Sequence, residues 1–331
     1  MTEAVPEARA STPIAQIVPL EKDARGLAML ATALGADVMA ALDAPDTIEV
    51  MANPDGRVWI ERHGSGRAAL GLTLAASHIE RVIRLVATLT GAEAHREKPI
   101  VSAELPPRGE RFEGVLPPVA RSPCFSIRKP AQVLYRLDDY VTKGILTADQ
   151  SRALKNAVAE RANILIAGGT GSGKTTLANA LLAEIAALDE RVVILEDTRE
   201  LVCAAEDVVA LRTRAGSVSL SDLVRSTLRL RPDRIIVGEV RGPEALDLLK
   251  AWNTGHPGGI ATIHANSARA ALARLEQLCM EVCERPPTAL IADAIDLVVF
   301  IARDATGAHG RAGRVVEDVF APKAHLQGAH P

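Results

Sequence analysis

A run of nine residues, Gly168-Gly169-Thr170-Gly171-Ser172-Gly173-Lys174-Thr175-Thr176, constrains this 331-residue chain more than any other feature. It fits the phosphate-loop pattern of Gly, four residues, then Gly-Lys-Ser/Thr. Its flanks suit it: Asn163–Ala167 is a short apolar strand, and Leu177–Ile185 is rich in helix formers. Strand, glycine turn and helix are the geometry such a loop requires. Glycines leave no Cβ between backbone and ligand, so consecutive N–H groups can wrap a phosphate. The helix N-terminus adds partial positive charge, Lys174 adds a full one, and the Thr175 hydroxyl can ligate Mg²⁺. A Gly/Ser linker would match by chance, but linkers are rarely strung between a strand and a helix. The expected ligand is a nucleoside triphosphate, ATP with Mg²⁺.

Composition narrows the partners. Net charge is −3, which does not indicate a strongly basic nucleic-acid binder, and sequence-specific nucleic-acid binding is not expected. Aromatics are 2% of the chain, too few for base-stacking platforms, so the cores must be built from Ala, Leu, Ile and Val. The cysteines (124, 203, 279 and 283) form no Cys-x-x-Cys pair and read as reduced, packed thiols in a reducing cytosol. Cys279 and Cys283 share a helix face, yet no further ligand for zinc lies near them in sequence. No stretch is long and apolar enough to span a membrane, and the N-terminus lacks a basic region followed by an apolar core. The expected location is the cytoplasm, free or peripheral on the inner face of the cytoplasmic membrane.

The pattern along the chain predicts two domains. Residues 1–20 are Ala/Pro-rich and aperiodic, a disordered lead. Residues 21–127 predict a small α+β N-terminal domain. In it, Leu27, Leu30, Leu34, Val38 and Leu42 share one helix, and 47–51 and 57–61 form a hairpin across Asn53-Pro54-Asp55-Gly56. Ser77–Thr90 is an amphipathic helix, and 99–127 holds strands joined by Pro-Pro turns. Residues 128–145 are expected as a linker. Thr147 and Gln150 then form a capping box that opens a helix over 148–160. Strands at 162–167, 191–196, 207–211, 234–239 and 259–263 alternate with helices at 174–187, 219–229, 243–252 and 267–284. That alternation predicts an α/β domain, 146–320, with a mostly parallel sheet. Residues 297–301 and 314–319 are expected to pair across a turn at 307–310, and 321–331 to be a disordered tail.

Further chemistry is expected at the carboxyl ends of the strands, where ligands bind in open α/β sheets. Val192–Leu195 leads into Glu196, and Ile235–Gly238 leads into Glu239. Either carboxylate can hold Mg²⁺ directly or through water, or orient the water that attacks a γ-phosphate. Alone, each would as readily be a helix cap or a surface acid. His264 ends the strand 260–263, where an imidazole can sense a terminal phosphate; His256 precedes that strand. Basic residues at the join, Arg108, Arg111, Arg121, Arg128 and Lys129, are candidate phosphate donors. Arg128 and then Arg111 are favoured, with Arg231 a third choice.

In order, the segments GGTGSGKTT, ILEDTREL, LRLRPDRIIVGEVRG and TGHPGGIATIHANS resemble the secretion ATPases of type II secretion, type IV pili and type IV secretion or conjugation. The segments FSIRKP, LDDYV and GEVRGPEALDLLKAWNTGHPGG are most similar to the conjugal-transfer branch, and the type II tetracysteine insert is absent. The resemblance implies a RecA-like P-loop ATPase domain behind the N-terminal domain, assembled as a homohexameric ring with ATP held between the two domains. It gives Lys174 and Thr175 the Walker A roles, Glu239 the Walker B role, Glu196 a place in the acidic box, and His256 and His264 places in the histidine box. Arg128 and Arg231 match nucleotide-contacting positions, Arg111 more loosely. It also implies inner-membrane secretion components as partners. Two other readings stay open: a P-loop kinase or nucleic-acid motor, and a nucleotide-gated scaffold without turnover. The cargo is not legible.

Overall fold

The computed structural model describes residues 21–62, 65–130, 134–214, 216–303 and 313–322. The chain divides into two compact units, Met1–Pro130 and Ala131–Pro331.

The first unit runs α1 (Glu21–Leu34), α2 (Ala36–Asp43), β1 (Thr47–Ala52), β2 (Arg57–Arg62), β3 (Gly66–Thr73), α3 (Ala76–Thr90), β4 (Ile100–Leu105), β5 (Glu110–Val115) and β6 (Cys124–Arg128). Its strands form a six-stranded sheet in the order β3-β2-β1-β6-β5-β4, and every pairing is antiparallel. α3 buries Ile79, Val82, Ile83, Val86 and Ala87, the i, i+3, i+4, i+7, i+8 stripe of a helix with one covered face. Two expectations change here. The helix predicted through Val38 and Leu42 is two helices, because Gly35 takes a left-handed φ of 82° and the axis bends by 106°. Strand β3 was not foreseen: GRAALGLT carries small residues, and most of the strand is exposed at the sheet edge.

The second unit runs α4 (Leu137–Thr142), α5 (Ala148–Ala159), β7 (Ile164–Gly168), α6 (Lys174–Ile185), β8 (Val192–Glu196), β9 (Val208–Arg212), α7 (Leu220–Thr227), β10 (Arg234–Val240), α8 (Glu244–Asn253), β11 (Ile260–His264), α9 (Ala268–Cys279), α10 (Thr288–Ala294), β12 (Leu297–Arg303) and β13 (Arg314–Phe320). Its seven-stranded sheet has the order β13-β12-β7-β11-β10-β8-β9. All neighbours pair in parallel except the edge strand β13, which runs antiparallel to β12. β7 and β8 are buried at every residue, as parallel strands covered on both faces must be. Two apolar clusters cover the faces, one built around α7, α8 and α9 and the other around α5 and α6.

The capping box forms as expected: Gln150 N–H donates to Thr147 Oγ1 at 3.1 Å, and Thr147 N–H donates back to Gln150 Oε1 at 2.9 Å. The segment expected as a linker, 128–145, contributes α4 to this unit, with Leu137 and Tyr140 buried in the α5–α6 core. The expected lead 1–20, the turn 307–310 and the tail beyond 322 lie outside the described residues. No single helix among the described residues is long and apolar enough to cross a membrane.

Candidate functional site

The site is built at the carboxyl edge of the second unit's sheet. β7 ends at Gly168, and the chain turns through Gly171 (φ 67°) and Gly173 (φ 103°) before α6 begins at Lys174. Both values lie in the left-handed region, where a side chain would be strained, so the turn depends on glycine at these two places. The turn folds over its own lysine: Lys174 Nζ donates to the carbonyls of Gly168 at 3.0 Å and Gly169 at 3.1 Å. Burial lowers the Lys174 pKa, and the negative charge of Glu239 works against that shift. Ser172 Oγ is buried and has no hydrogen-bond partner among the described residues. A cation and a free hydroxyl at a glycine turn and helix N-terminus fit a phosphate group.

Neighbouring strands bring the expected partners alongside. β11 runs in register with β7 and sets His264 opposite Gly168, and His264 Nε2 lies 2.9 Å from Thr170 Oγ1. Glu196 ends β8 and is buried. Its Oε1 accepts the N–H groups of Glu200 at 3.0 Å and Leu201 at 2.8 Å. Burial pushes its pKa up to about 7, although both N–H groups pull the other way. Glu239, near the end of β10, is engaged by Arg241 through Nε–H at 2.8 Å and through Nη2.

Two residues that sequence reasoning passed over stand close by. Glu200 accepts the Thr175 hydroxyl at Oε2, 3.2 Å away, and its carbonyl accepts Asn179 Nδ2 at 3.1 Å. Arg241 joins Glu239 to Asp197, whose Oδ2 is 3.6 Å from Nη1. Burial opposes the charge on Arg241, but Glu239, Asp197 and Glu200 outweigh it and its pKa is raised. Both were legible in principle. Glu200 lies in the same acidic segment as Glu196, and Arg241 follows Glu239 by two residues, just past the end of β10.

The expected metal set was Thr175, Glu196 and Glu239, direct or through water. The described residues hold no cluster of three or more His, Cys, Asp or Glu arranged as a metal cage. Glu196 spends Oε1 closing the 196–201 turn, and Glu239 is paired with Arg241. Thr175 and Glu200 are the hard oxygen donors that meet. Such a sparse set fits Mg²⁺, which keeps waters and takes phosphate oxygens in place of an all-protein cage.

Two further expectations fall elsewhere. His256 precedes β11 and Arg231 precedes β10, so both sit at the amino edge of the parallel sheet. A five-residue strand separates that edge from the glycine turn by on the order of 15 Å. Arg231 is exposed with φ 54°, and His256 Nδ1 is buried without a partner among the described residues. In the first unit, Arg111 and Arg128 face each other across the β5–β6 pair. Of the other basic residues named there, Arg108 pairs with Asp43, and Lys129 Nζ donates to the Ala44 carbonyl at 2.8 Å.

A left-handed glycine turn over a lysine at a helix N-terminus, with acids and an imidazole on adjoining strand ends, defines a phosphate-binding α/β protein. Residues 41–322 match the family described as Type II/IV secretion system protein. The conjugal transfer protein TrbB of Rhizobium radiobacter is 53% identical over 281 residues, covering 84% of this chain and 86% of the relative. The type IV secretion system protein PtlH of Bordetella pertussis is 37% identical over 312 residues, covering 83% and 91%. Among solved structures, the Legionella pneumophila ATPase DotB is similar in fold, with a TM-score of 0.62 at 20% identity over 89% of this chain and 83% of that one. The chain belongs to the type II/IV secretion family, in the company of type IV secretion and conjugal transfer proteins.

Proposed function

We propose that this chain hydrolyses ATP as a homohexameric motor for a type IV secretion or conjugal transfer apparatus, its second unit being a RecA-like P-loop domain. ATP hydrolysis is the activity that membership of the secretion ATPases implies. One observation carries the reading: Lys174, the Thr175–Glu200 pair, Glu196, Glu239 and His264 converge on the edge of the sheet where the glycine turn lies.

In this reading the amides of 169–174 and the Lys174 ammonium hold the β- and γ-phosphates. Lys174 gives up the two loop carbonyls for phosphate oxygens. Thr175 and Glu200 would hold Mg²⁺, which neutralises charge on the phosphates when bound. Glu239 orients the water for in-line attack, and His264, steadied by Thr170, reports whether the terminal phosphate is present. Arg111 and Arg128 remain proposed phosphate donors, as does Arg231; from their sheet edge, Arg231 and His256 would serve a neighbouring copy in the ring. Loss of the γ-phosphate then moves the first unit against the second. The proposed seat is the cytoplasm, at the inner face of the membrane beside the secretion components.

The test is Glu239→Gln, with phosphate release and ATP binding measured on the same preparation. Release is expected to fall by a factor of about 10² or more with binding retained. Wild-type release would overturn the assignment. Native mass measurement with and without ATP tests the ring, for which a six-fold assembly is expected.

A further inference from the structure

The proposed water-orienting carboxylate is not free. Glu239 Oε2 accepts two guanidinium N–H groups from Arg241, one at 2.8 Å. An oxygen so engaged has its lone pairs committed and its direction set by the arginine, and the guanidinium charge weakens the whole carboxylate as a base, leaving Oε1 as the oxygen that can face a water. Separating the pair would restore the basicity that in-line attack by water draws on.

The surroundings of Arg241 supply that step. Its backbone is pinned: Arg241 N–H and Gly242 N–H both donate to the buried Glu244 Oε1, at 2.7 and 2.9 Å, where α8 begins. Its head, held on Glu239, is open to solvent, the side chain being 55% exposed. A second carboxylate waits beside it, Asp197, with Oδ2 3.6 Å from Nη1. Asp197 is itself held in place, its Oδ1 accepting the Thr213 hydroxyl at 2.9 Å from the loop after β9. A rooted arginine with an exposed head and two carboxylates in reach, at 2.8 and 3.6 Å, is a two-position element, which is what a switch requires.

Resting on the reading of Glu239 as the water-orienting residue, we propose that Arg241 is a positioning residue that is handed from Glu239 to Asp197 when a γ-phosphate arrives beside Lys174. A γ-phosphate competes for the guanidinium and draws it from Glu239, and Asp197 completes its hydrogen bonding in the new position. Hydrolysis is thereby tied to occupancy by a triphosphate, since a diphosphate offers no terminal group to draw the arginine away. The pairing restrains Glu239 until substrate is complete.

The proposal is tested on the full chain with Asp197→Asn, Asp197→Glu, Arg241→Gln and the double variant Asp197→Asn/Arg241→Gln, measuring kcat and ATP affinity separately. Asp197→Asn leaves Arg241 without its second carboxylate, and kcat is expected to fall about tenfold with ATP affinity unchanged. Asp197→Glu restores the carboxylate and recovers most of that loss. Adding Arg241→Gln to Asp197→Asn frees Glu239 and raises kcat about threefold or more above the single variant. Arg241→Gln alone stays at least about tenfold more active than Glu239→Gln. An unchanged kcat in Asp197→Asn overturns the handover, and so does a double variant as slow as the single, or Arg241→Gln as inactive as Glu239→Gln. The Glu239→Gln control separates the two claims. If it hydrolyses normally, the underlying assignment has failed; if it is inactive while the double variant shows no recovery, only the handover has.

Discussion

The two edges of the second unit's sheet carry charge in opposite ways. At the amino edge the charges gathered around the buried Arg234 are closed. Arg234 is 1% exposed, paired with Glu190, and donates to the carbonyls of Val158 at 2.8 Å and Gly258 at 3.2 Å. Glu190 takes Arg161 as well. Asn163 accepts Gly258 N–H at 2.9 Å and Gly259 N–H at 3.0 Å, and donates to the Ala294 carbonyl at 2.8 Å. At the carboxyl edge the polar groups are held loosely. Lys174 rests on backbone carbonyls, Ser172 Oγ has no partner among the described residues, and Glu239 is tied to an arginine that is half exposed. Buried polar networks that are complete hold a fold together, whereas groups left with spare capacity are those a ligand can recruit. One sheet thus has a structural end and a chemical end.

The largest effect comes from removing one cation at each edge. Arg234→Met leaves Glu190 short of a buried partner and strands two carbonyls, and should cost roughly 3–5 kcal/mol of stability by chemical denaturation. Lys174→Met removes a desolvated ammonium whose partners are loop carbonyls, and the same measurement should change by less than about 1 kcal/mol. Phosphate release should respond in reverse: nearly lost in Lys174→Met, and kept in Arg234→Met under conditions where it stays folded. Equal losses of stability would erase the distinction between the edges.

How far each edge was readable depends on whether its residues are neighbours in sequence. The glycine turn, its strand and its helix are contiguous, and the apolar runs of β7, β8, β10 and β11 mark strands buried on both faces. That made the turn, Glu196, Glu239 and His264 legible. His256 and Arg231 were grouped with them because their motifs are close along the chain, but a residue preceding a parallel strand lies at the opposite edge from one that follows it. Arg234 and Asn163 gave no signal, since their partners Glu190, Val158, Ala294 and Gly258 come from distant segments brought together only by folding. Glu200 and Arg241 were hidden in a different way. Each sits inside a recognised acidic segment, where the carboxylate that ends the strand draws the attention. Gly35 was hidden because an apolar period of three or four continues through it while the backbone does not.

A smaller effect, dependent on pH, separates the edges again. Burial raises the Glu196 pKa to about 7 from an ordinary value of 4.5, so its folded state favours the proton. The stability contributed by this group is fully present below pH 4.5 and is lost as pH rises through 7, because the unfolded chain ionises first. Glu196→Gln keeps an oxygen to accept the Glu200 and Leu201 N–H groups and removes the ionisation. It should match wild type near pH 4.5, gain on it between pH 4.5 and 7, and hold a constant advantage of up to about 3 kcal/mol above that. Urea midpoints across that range measure it. Glu190 gives the opposite sign: its guanidinium partners outweigh burial and lower its pKa, so its contribution is lost as pH falls through the carboxylate range. A flat difference between Glu196→Gln and wild type would mean that Glu196 is as well compensated as Glu190.

Ser172 offers the finest distinction. Its hydroxyl is buried at the glycine turn with no partner among the described residues, and a buried polar group left unsatisfied costs about 1 kcal/mol or more. Ser172→Ala deletes that group with little change of shape, so the protein measured without nucleotide should gain about 1 kcal/mol. If the hydroxyl is kept for a phosphate oxygen, the same substitution should weaken ATP binding by about threefold to tenfold. The rise in thermal midpoint on adding ATP would then shrink, because stabilisation by a ligand follows its affinity. Stability and binding would move in opposite directions on one substitution. Asn163→Ala at the other edge should lose stability outright, since it strands two buried N–H groups and a carbonyl. Should Ser172→Ala also lose stability, its hydroxyl would belong to a closed network like that of Asn163, and the glycine turn would have no side-chain hydroxyl to offer a phosphate.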